Sequence, residues 1–214
     1  PLVVQLDPTY AGLQEYDITS GLVSQHAADG DWPEAIVLGI DYPDPRTRER
    51  DYEVQEDPDP DFERGGADRF YAALRDEILP HVEAEHAIDP ARRVLVGHSN
   101  GGVFGWYAAF RQDDGAAPLF AGIVAADNGY DQQLFTLERW YADRADDLPL
   151  RMYVTHAMFN GAVQKRGFDW MMERLDDRDY PGLELESREL ETDHAGAIWP
   201  SFEDGLAFVL GGAQ

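Results

Sequence analysis

Ser99 stands in Gly97-His98-Ser99-Asn100-Gly101-Gly102, directly after the apolar run Val94-Leu95-Val96. A serine hydroxyl is a poor nucleophile at neutral pH, so it needs a base and a site that holds the oxyanion formed on attack. Gly-x-Ser-x-Gly between a buried strand and a helix is the sequence form of a nucleophile elbow. Glycines at 97 and 101 permit a sharp turn where a β-carbon would clash. The serine is left at the tip, and the first N–H groups of the following helix are free to bind an anion. The flanking segments have the required order. A helix-length stretch from about Arg64 to His86 leads through a loop with Asp89-Pro90 into the strand, and an apolar helix runs on to Phe110.

The base must come from six histidines. His98 adjoins the nucleophile, and its side chain is expected to turn into the surroundings of the sheet. His26, His81 and His86 fall on helical stretches before the elbow and read as packing or surface residues. His194 is the best base, because it follows the last apolar run in Glu191-Thr192-Asp193-His194-Ala195-Gly196 and precedes the final helix. Nucleophile first and histidine last is an order known for serine hydrolases.

These residues need a frame, and the chain supplies an alternating one. Apolar runs over Leu2–Leu6, Ala35–Ile40, Val94–Gly97, Phe120–Ala125, Met152–Thr155 and Leu183–Arg188 read as strands. Helical patterns over Tyr71–His86, Asn100–Phe110, Phe135–Asp143, Phe168–Arg178 and Phe202–Leu210 separate or follow them. Strands alternating with helices imply crossover units, a mostly parallel central sheet and helices on both faces. Ligands bind such sheets at the carboxyl ends of the strands, where Ser99 falls. A length of 214 residues suits a single domain. Residues 41–61 are charged and rich in proline and read as an acidic rim or lid loop. Their Asp57-Pro58-Asp59-Pro60-Asp61 tract reads as solvated, without the spacing of a calcium loop.

Composition excludes several classes. The chain has no cysteine, so disulfides, thiolate metal sites and cysteine nucleophiles are out. A net charge of −25, from 42 acidic against 17 basic residues, makes nucleic acid and anionic membrane surfaces poor partners. Lys165 is the single lysine. An acidic, lysine-poor surface fits a salt-rich cytoplasm, and it fits equally an acidic protein from a high-GC organism. No run approaches the length of a membrane span, and a cytoplasmic location is the expectation. The chain opens at Pro1 directly in an apolar run, so a preceding segment is also expected.

The whole pattern resembles the putative-esterase family of α/β hydrolases, which includes enterochelin esterases, S-formylglutathione hydrolases and feruloyl esterases. The stretches that carry the likeness are Leu2-Val3-Val4-Gln5-Leu6-Asp7, Arg75 to Glu83, Arg92 to Gly102, and Asp193 to Pro200 leading into Gly205-Leu206-Ala207-Phe208. The resemblance implies an α/β-hydrolase fold and ester hydrolysis through Ser99 and His194, with an oxyanion hole from the N–H groups of Asn100 and Thr9. It also implies one or two strands ahead of the first run.

The acid of the triad is where the chain departs from that family. Relatives carry Glu or Asp in a short loop after the fifth run, and the matching position here is Asn160. Asp127, at the end of the Phe120–Ala125 run, is the alternative. Tyr10, Tyr130 and Trp199 are the candidate pocket residues. The leading expectation is a serine carboxylic-ester hydrolase that forms an acyl-enzyme on a small neutral or aromatic ester, with no cofactor and no metal. An inactive homologue serving as a binding module and an acyltransferase on the same fold are the rivals.

Overall fold

Leu2-Val3-Val4-Gln5-Leu6 is buried at every position, which a strand covered on both faces explains. In this computed structural model, which describes residues 1–9, 12, 14–42, 44–54, 65–111, 117–130 and 132–211, that run is strand β1 (Leu2–Leu6). It lies in a six-stranded sheet with β2 (Ile36–Ile40), β3 (Arg93–His98), β4 (Gly122–Ala126), β5 (Leu150–Ala157) and β6 (Leu183–Leu190). The order is β2-β1-β3-β4-β5-β6, and every neighbouring pair is parallel.

The side-chain period of two divides the core. Leu2, Val4, Leu6, Leu95, Ile123 and Met152 face one layer, which holds α2 (Pro45–Tyr52), α3 (Ala67–Ala73), α4 (Leu79–Glu85), α5 (Asn100–Phe110), α6 (Gln132–Ala142) and α7 (Ala162–Arg178). A π-helical turn at Leu74–Ile78 joins α3 to α4. Val3, Val94, Val96, Val124 and Tyr153 face the other layer, built from α1 (Glu15–Asp29) and α8 (Ile198–Gly211). Helix α5 is buried from Gly101 through Phe110, so it is apolar on all sides and sits at the centre of its layer.

The strands match the apolar runs to within about two residues at each end, as expected for frayed boundaries. Larger differences lie in the helices. Helix α7 begins at Ala162, six residues before the predicted start, because Gln164, Lys165 and Arg166 belong to its polar face. Helix α1 is the helical stretch expected around His26, whose bounds the sequence did not mark; its buried face is short, with Leu22 and Val23 beside the polar Glu15 and Thr19.

The 41–61 segment is not simply a rim loop, because residues 45–52 form α2. Asp44 caps it by accepting from the Arg46 and Thr47 N–H groups at 2.8 and 3.1 Å, and Pro45 opens the first turn. Arg48 and Tyr52 are buried, so this helix is part of the core. The Asp57–Asp61 tract lies outside the described residues.

Candidate active site

The carboxyl ends of β1, β3, β4 and β5 meet at one edge of the sheet, as parallel pairing requires. Ser99 links β3 directly to α5 with φ 58° and ψ −123°, a backbone conformation that L-residues rarely adopt. Its N–H donates to the Ala126 carbonyl at 3.0 Å, and its own carbonyl accepts from the Val103 N–H at 3.0 Å. The turn is therefore bonded on both sides. The Ser99 side chain does not cap α5, which leaves the opening amides of that helix, including that of Asn100, available to an anion.

Gly97 makes this geometry possible. A β-carbon there would stand 2.4 Å from the Gly101 carbonyl carbon and oxygen, atoms that cannot rotate away. Gly97→Ala is accordingly expected to cost about 3 kcal/mol, the upper end for overpacking. Urea unfolding of the variant against the parent measures it.

Asp127 follows β4 and is fully buried, with φ 36°. Its carboxylate collects donors. Oδ1 accepts the Ala157 N–H at 2.7 Å, and Oδ2 accepts His194 Nδ1 at 2.6 Å and Asn160 Nδ2 at 3.0 Å. His156 Nδ1 lies 3.5 Å from Oδ1. Burial pulls the Asp127 carboxyl upward, but the bonds from His194, Ala157 and Asn160 outweigh it and hold the group below the usual carboxylate range. Asp127 is thus ionised and aimed at Nδ1 of the histidine.

Asn160 also lies near His194, with Nδ2 3.5 Å from Nδ1. It is the longer of the two contacts this amide nitrogen makes, and both nitrogens are donors when His194 Nδ1 carries its proton. The amide nitrogen instead serves the Asp127 oxygen, which needs a donor. Of the two residues weighed from sequence for the third place of the triad, Asp127 is the one whose oxygen meets the histidine. Asp193 does a local task, accepting the Gly196 N–H at 2.8 Å and shaping the His194 loop.

With Nδ1 donating to Asp127, His194 keeps its proton there and presents Nε2 as the basic nitrogen. The side chain is 42% exposed, so substrate can reach it. Among the described residues, Ser99 Oγ and His194 share no hydrogen bond; such pairs often tighten only around substrate. Ser99 is brought to the same place by its neighbour His98, whose ring lies 4.2 Å from the His194 ring between centroids. His98 turns away from Ser99, as expected. Its landing point, the main-chain carbonyl of His194 at 3.0 Å from Nε2, carried no signal in the sequence.

Thr9 is exposed just beyond β1, and its Oγ1 donates to Asp41 Oδ2 at 2.9 Å. It lines a cleft of about 560 Å³ with Pro8, Tyr16, Val37 and Leu38. The preceding Asp7 is buried, adopts φ 56° and pairs with buried Arg48 at 2.9 Å. Desolvation raises the Asp7 carboxyl to about 6 despite that guanidinium. Helix α2 thereby fixes the end of β1.

Tyr130 packs against Trp106 and Phe168 and borders a second cleft of about 770 Å³ with Phe135, Val163 and Trp170. Trp199 lies on α8, five residues after His194. It stands 52% exposed and donates to Glu203 at 3.1 Å. Tyr10 lies outside the described residues. His98, Asp127 and His194 place nitrogen and oxygen donors within 4.8 Å of one another. The His194–Asp127 bond and the His98 bond to the His194 main chain account for that closeness.

A family model described as "Putative esterase" matches residues 3–159. The chain belongs to this esterase family. Ferri-bacillibactin esterase BesA of Bacillus subtilis (strain 168) is 30% identical across 41% of this chain and 35% of that protein, so the match spans about a third of that relative's length. The BES protein from Bacillus cereus superposes with a TM-score of 0.82 at 20% identity, over 98% of this chain and 82% of its own. An IroE-like serine hydrolase from Shewanella oneidensis does so with 0.79 at 21% identity, over 98% and 70%. The fold is that of an α/β hydrolase. No helix among the described residues is long and apolar enough to cross a membrane.

Proposed function

We propose that the chain is a serine carboxylic-ester hydrolase working through an acyl-enzyme. The observation that carries the reading is the buried Asp127 carboxylate 2.6 Å from His194 Nδ1, at the sheet edge that also holds the Ser99 elbow. Ser99 Oγ attacks the ester carbonyl carbon while His194 Nε2 takes its proton. The tetrahedral oxyanion lies against the N–H groups of Asn100 and Thr9. Collapse breaks the bond to the alcohol oxygen, which leaves with the proton from His194. Water then attacks the acyl-serine, again losing its proton to His194, and the carboxylic acid and free Ser99 are released. Asp127 orients the imidazole and stabilises the imidazolium. An ionised acid on the histidine supports catalysis over a binding role, since Asn160 was the ground for the latter.

The substrate class we assign is a small neutral or aromatic ester. The cleft beside Thr9, with Val37 and Leu38 in its wall, suits an apolar acyl or aryl group. The Bacillus subtilis relative is named as an esterase of ferri-bacillibactin, and an ester of that kind is the second to try. A net charge of −25 opposes polyanionic substrates at low salt, and the opposition fades when molar salt shortens the Debye length to about 3 Å.

The test is labelling with a fluorophosphonate, followed by peptide mass mapping, alongside hydrolysis of p-nitrophenyl acetate at low and molar salt. Expected are one adduct on Ser99 and a loss of turnover in proportion to it. Turnover that survives full labelling of Ser99, or no turnover at either salt, overturns the proposal.

A further inference from the structure

Beneath His194 lies a second buried pair that the reaction as derived does not use. Glu15 on α1 and His98 at the end of β3 are each 1% exposed. Glu15 Oε1 and His98 Nδ1 lie 3.4 Å apart, and both are buried atoms that hydrogen-bond to nothing else. The remaining atoms of the two side chains are committed. His98 Nε2 meets the His194 carbonyl at 3.0 Å. Glu15 Oε2 accepts from Gln5 Nε2 at 3.2 Å, and Gln5 Oε1 accepts from Thr19 at 2.5 Å.

These partners fix the protons. A carbonyl only accepts, so His98 Nε2 must carry hydrogen. In a neutral imidazole Nδ1 then bears a lone pair. An ionised Glu15 would aim a second lone pair at it inside the protein, with no proton to join them, a costly arrangement. A protonated Glu15 removes the conflict, its O–H donating to Nδ1 while its other oxygen accepts from Gln5. We propose that Glu15 and His98 are positioning residues: the carboxylic acid proton of Glu15 orients His98, whose Nε2–H holds the main chain of His194 in place.

The electrostatics agree. Burial pushes the Glu15 carboxyl up to about 8, with Arg48 and His194 only partly opposing it. Burial, and then the neighbouring His194, press the His98 imidazole down to about 4. Both shifts favour the neutral pair. The charged or titratable groups facing it are Asp7 at the end of β1, Arg48 on α2, Asp127 after β4 and His194 itself. As pH rises through the Glu15 value, the acid loses its proton, the contact to Nδ1 turns repulsive, and the hold on His194 loosens.

The kinetic arm of the test rests on the serine-esterase reading; a spectroscopic arm does not. For p-nitrophenyl acetate, Glu15→Ala is expected to lower kcat about tenfold with KM unchanged, the rate equivalent of one lost hydrogen bond. Glu15→Gln, whose amide donates to Nδ1 at every pH, is expected to stay within about twofold of the parent, by the same measure. It should also keep its activity above the pH at which the parent declines. Equal losses in the Ala and Gln variants, or identical pH profiles for parent and Gln variant, overturn the proposal. The infrared spectrum of the parent below pH 8 should contain the carbonyl band of a buried protonated carboxyl that Glu15→Gln removes. An active parent without that band refutes the protonated Glu15 and leaves the esterase standing. The band in a parent without Ser99-dependent turnover supports the buried proton and removes the esterase reading.

Discussion

Ser99→Ala is expected to lower kcat for p-nitrophenyl acetate by about a million-fold, with His194→Ala close to the same loss and the double variant no worse. The equality follows from the way the two groups act. Without Oγ there is no atom to acylate, and a base at 194 has nothing to deprotonate. Without the imidazole, Oγ keeps its proton and attacks only as a neutral alcohol. Each deletion removes the same covalent route, so the losses do not add. The residual rate should come from the helix α5 amides and binding alone, which act on any carbonyl held there. Ser99 sits at φ 58°, so alanine inherits the strained backbone unchanged, and circular dichroism and urea unfolding should match the parent closely. A kcat loss below about a hundredfold would mean that another nucleophile carries the reaction, since general-base assistance to water alone contributes on that order.

What could be read from the sequence follows from how each element is stabilised. Strand β3, the elbow and α5 were legible because one continuous apolar stretch serves a strand and then a helix buried on all sides, with glycines marking the change of direction. Helix α5 runs from Asn100 to Phe110, the bounds its residues suggest. Helix α2 was hidden because its residues, Pro-Arg-Thr-Arg-Glu-Arg-Asp-Tyr, carry almost no apolar periodicity. Its place in the core rests on an ion pair, Arg48 with Asp7, and on one tyrosine. Its start signal, Asp44 followed by Pro45, was nonetheless present.

The site divides in the same way. Ser99 and His194 carry local signatures, one a glycine pattern and the other a position between the last strand and last helix. The acid does not, because the meeting of Asp127, Asn160 and His194 depends on how the ends of β4 and β5 stand beside the loop after β6. Chain separation is no guide there, since Asp127 and Asn160 are 33 residues apart and hydrogen-bonded. Glu15 had still less chance of being noticed. It opens a helix whose polar sequence conceals its core contacts, and its partner His98 is 83 positions further on.

Asp127→Asn is expected to reduce kcat by about 10⁴, as the same change does in a serine protease where it leaves the histidine in the wrong tautomer. Here the geometry gives the reason. Asp127 Oδ2 already faces two N–H donors, His194 Nδ1 and Asn160 Nδ2, and Oδ1 faces the Ala157 N–H. An amide at 127 must turn its NH₂ toward one of these sides. Directed at His194, it forces the proton onto Nε2, the nitrogen that must accept from Ser99. Directed at Ala157, it sets its own donor against the Ala157 N–H and loosens the loop that carries Asn160. Asn160→Ala should be mild by comparison, about tenfold or less, since one neutral hydrogen bond to the carboxylate is lost. Asn160→Asp is the more telling change. It would set a second carboxylate about 3 Å from Asp127, where both cannot ionise freely and one pKa must rise. An ionised acid at 160 is therefore disfavoured beside an ionised Asp127, and the amide at 160 supplies the N–H that the neighbouring carboxylate accepts. The pH dependence carries the same sign. Asp127 is depressed below its unfolded value, so its contribution to stability is complete above that unfolded value and is lost as pH falls through the lower folded one. Asp127→Asn should flatten this acid limb in thermal unfolding, whereas Asn160→Asp should steepen the pH dependence of kcat, with activity lowest where both carboxyls are driven to ionise.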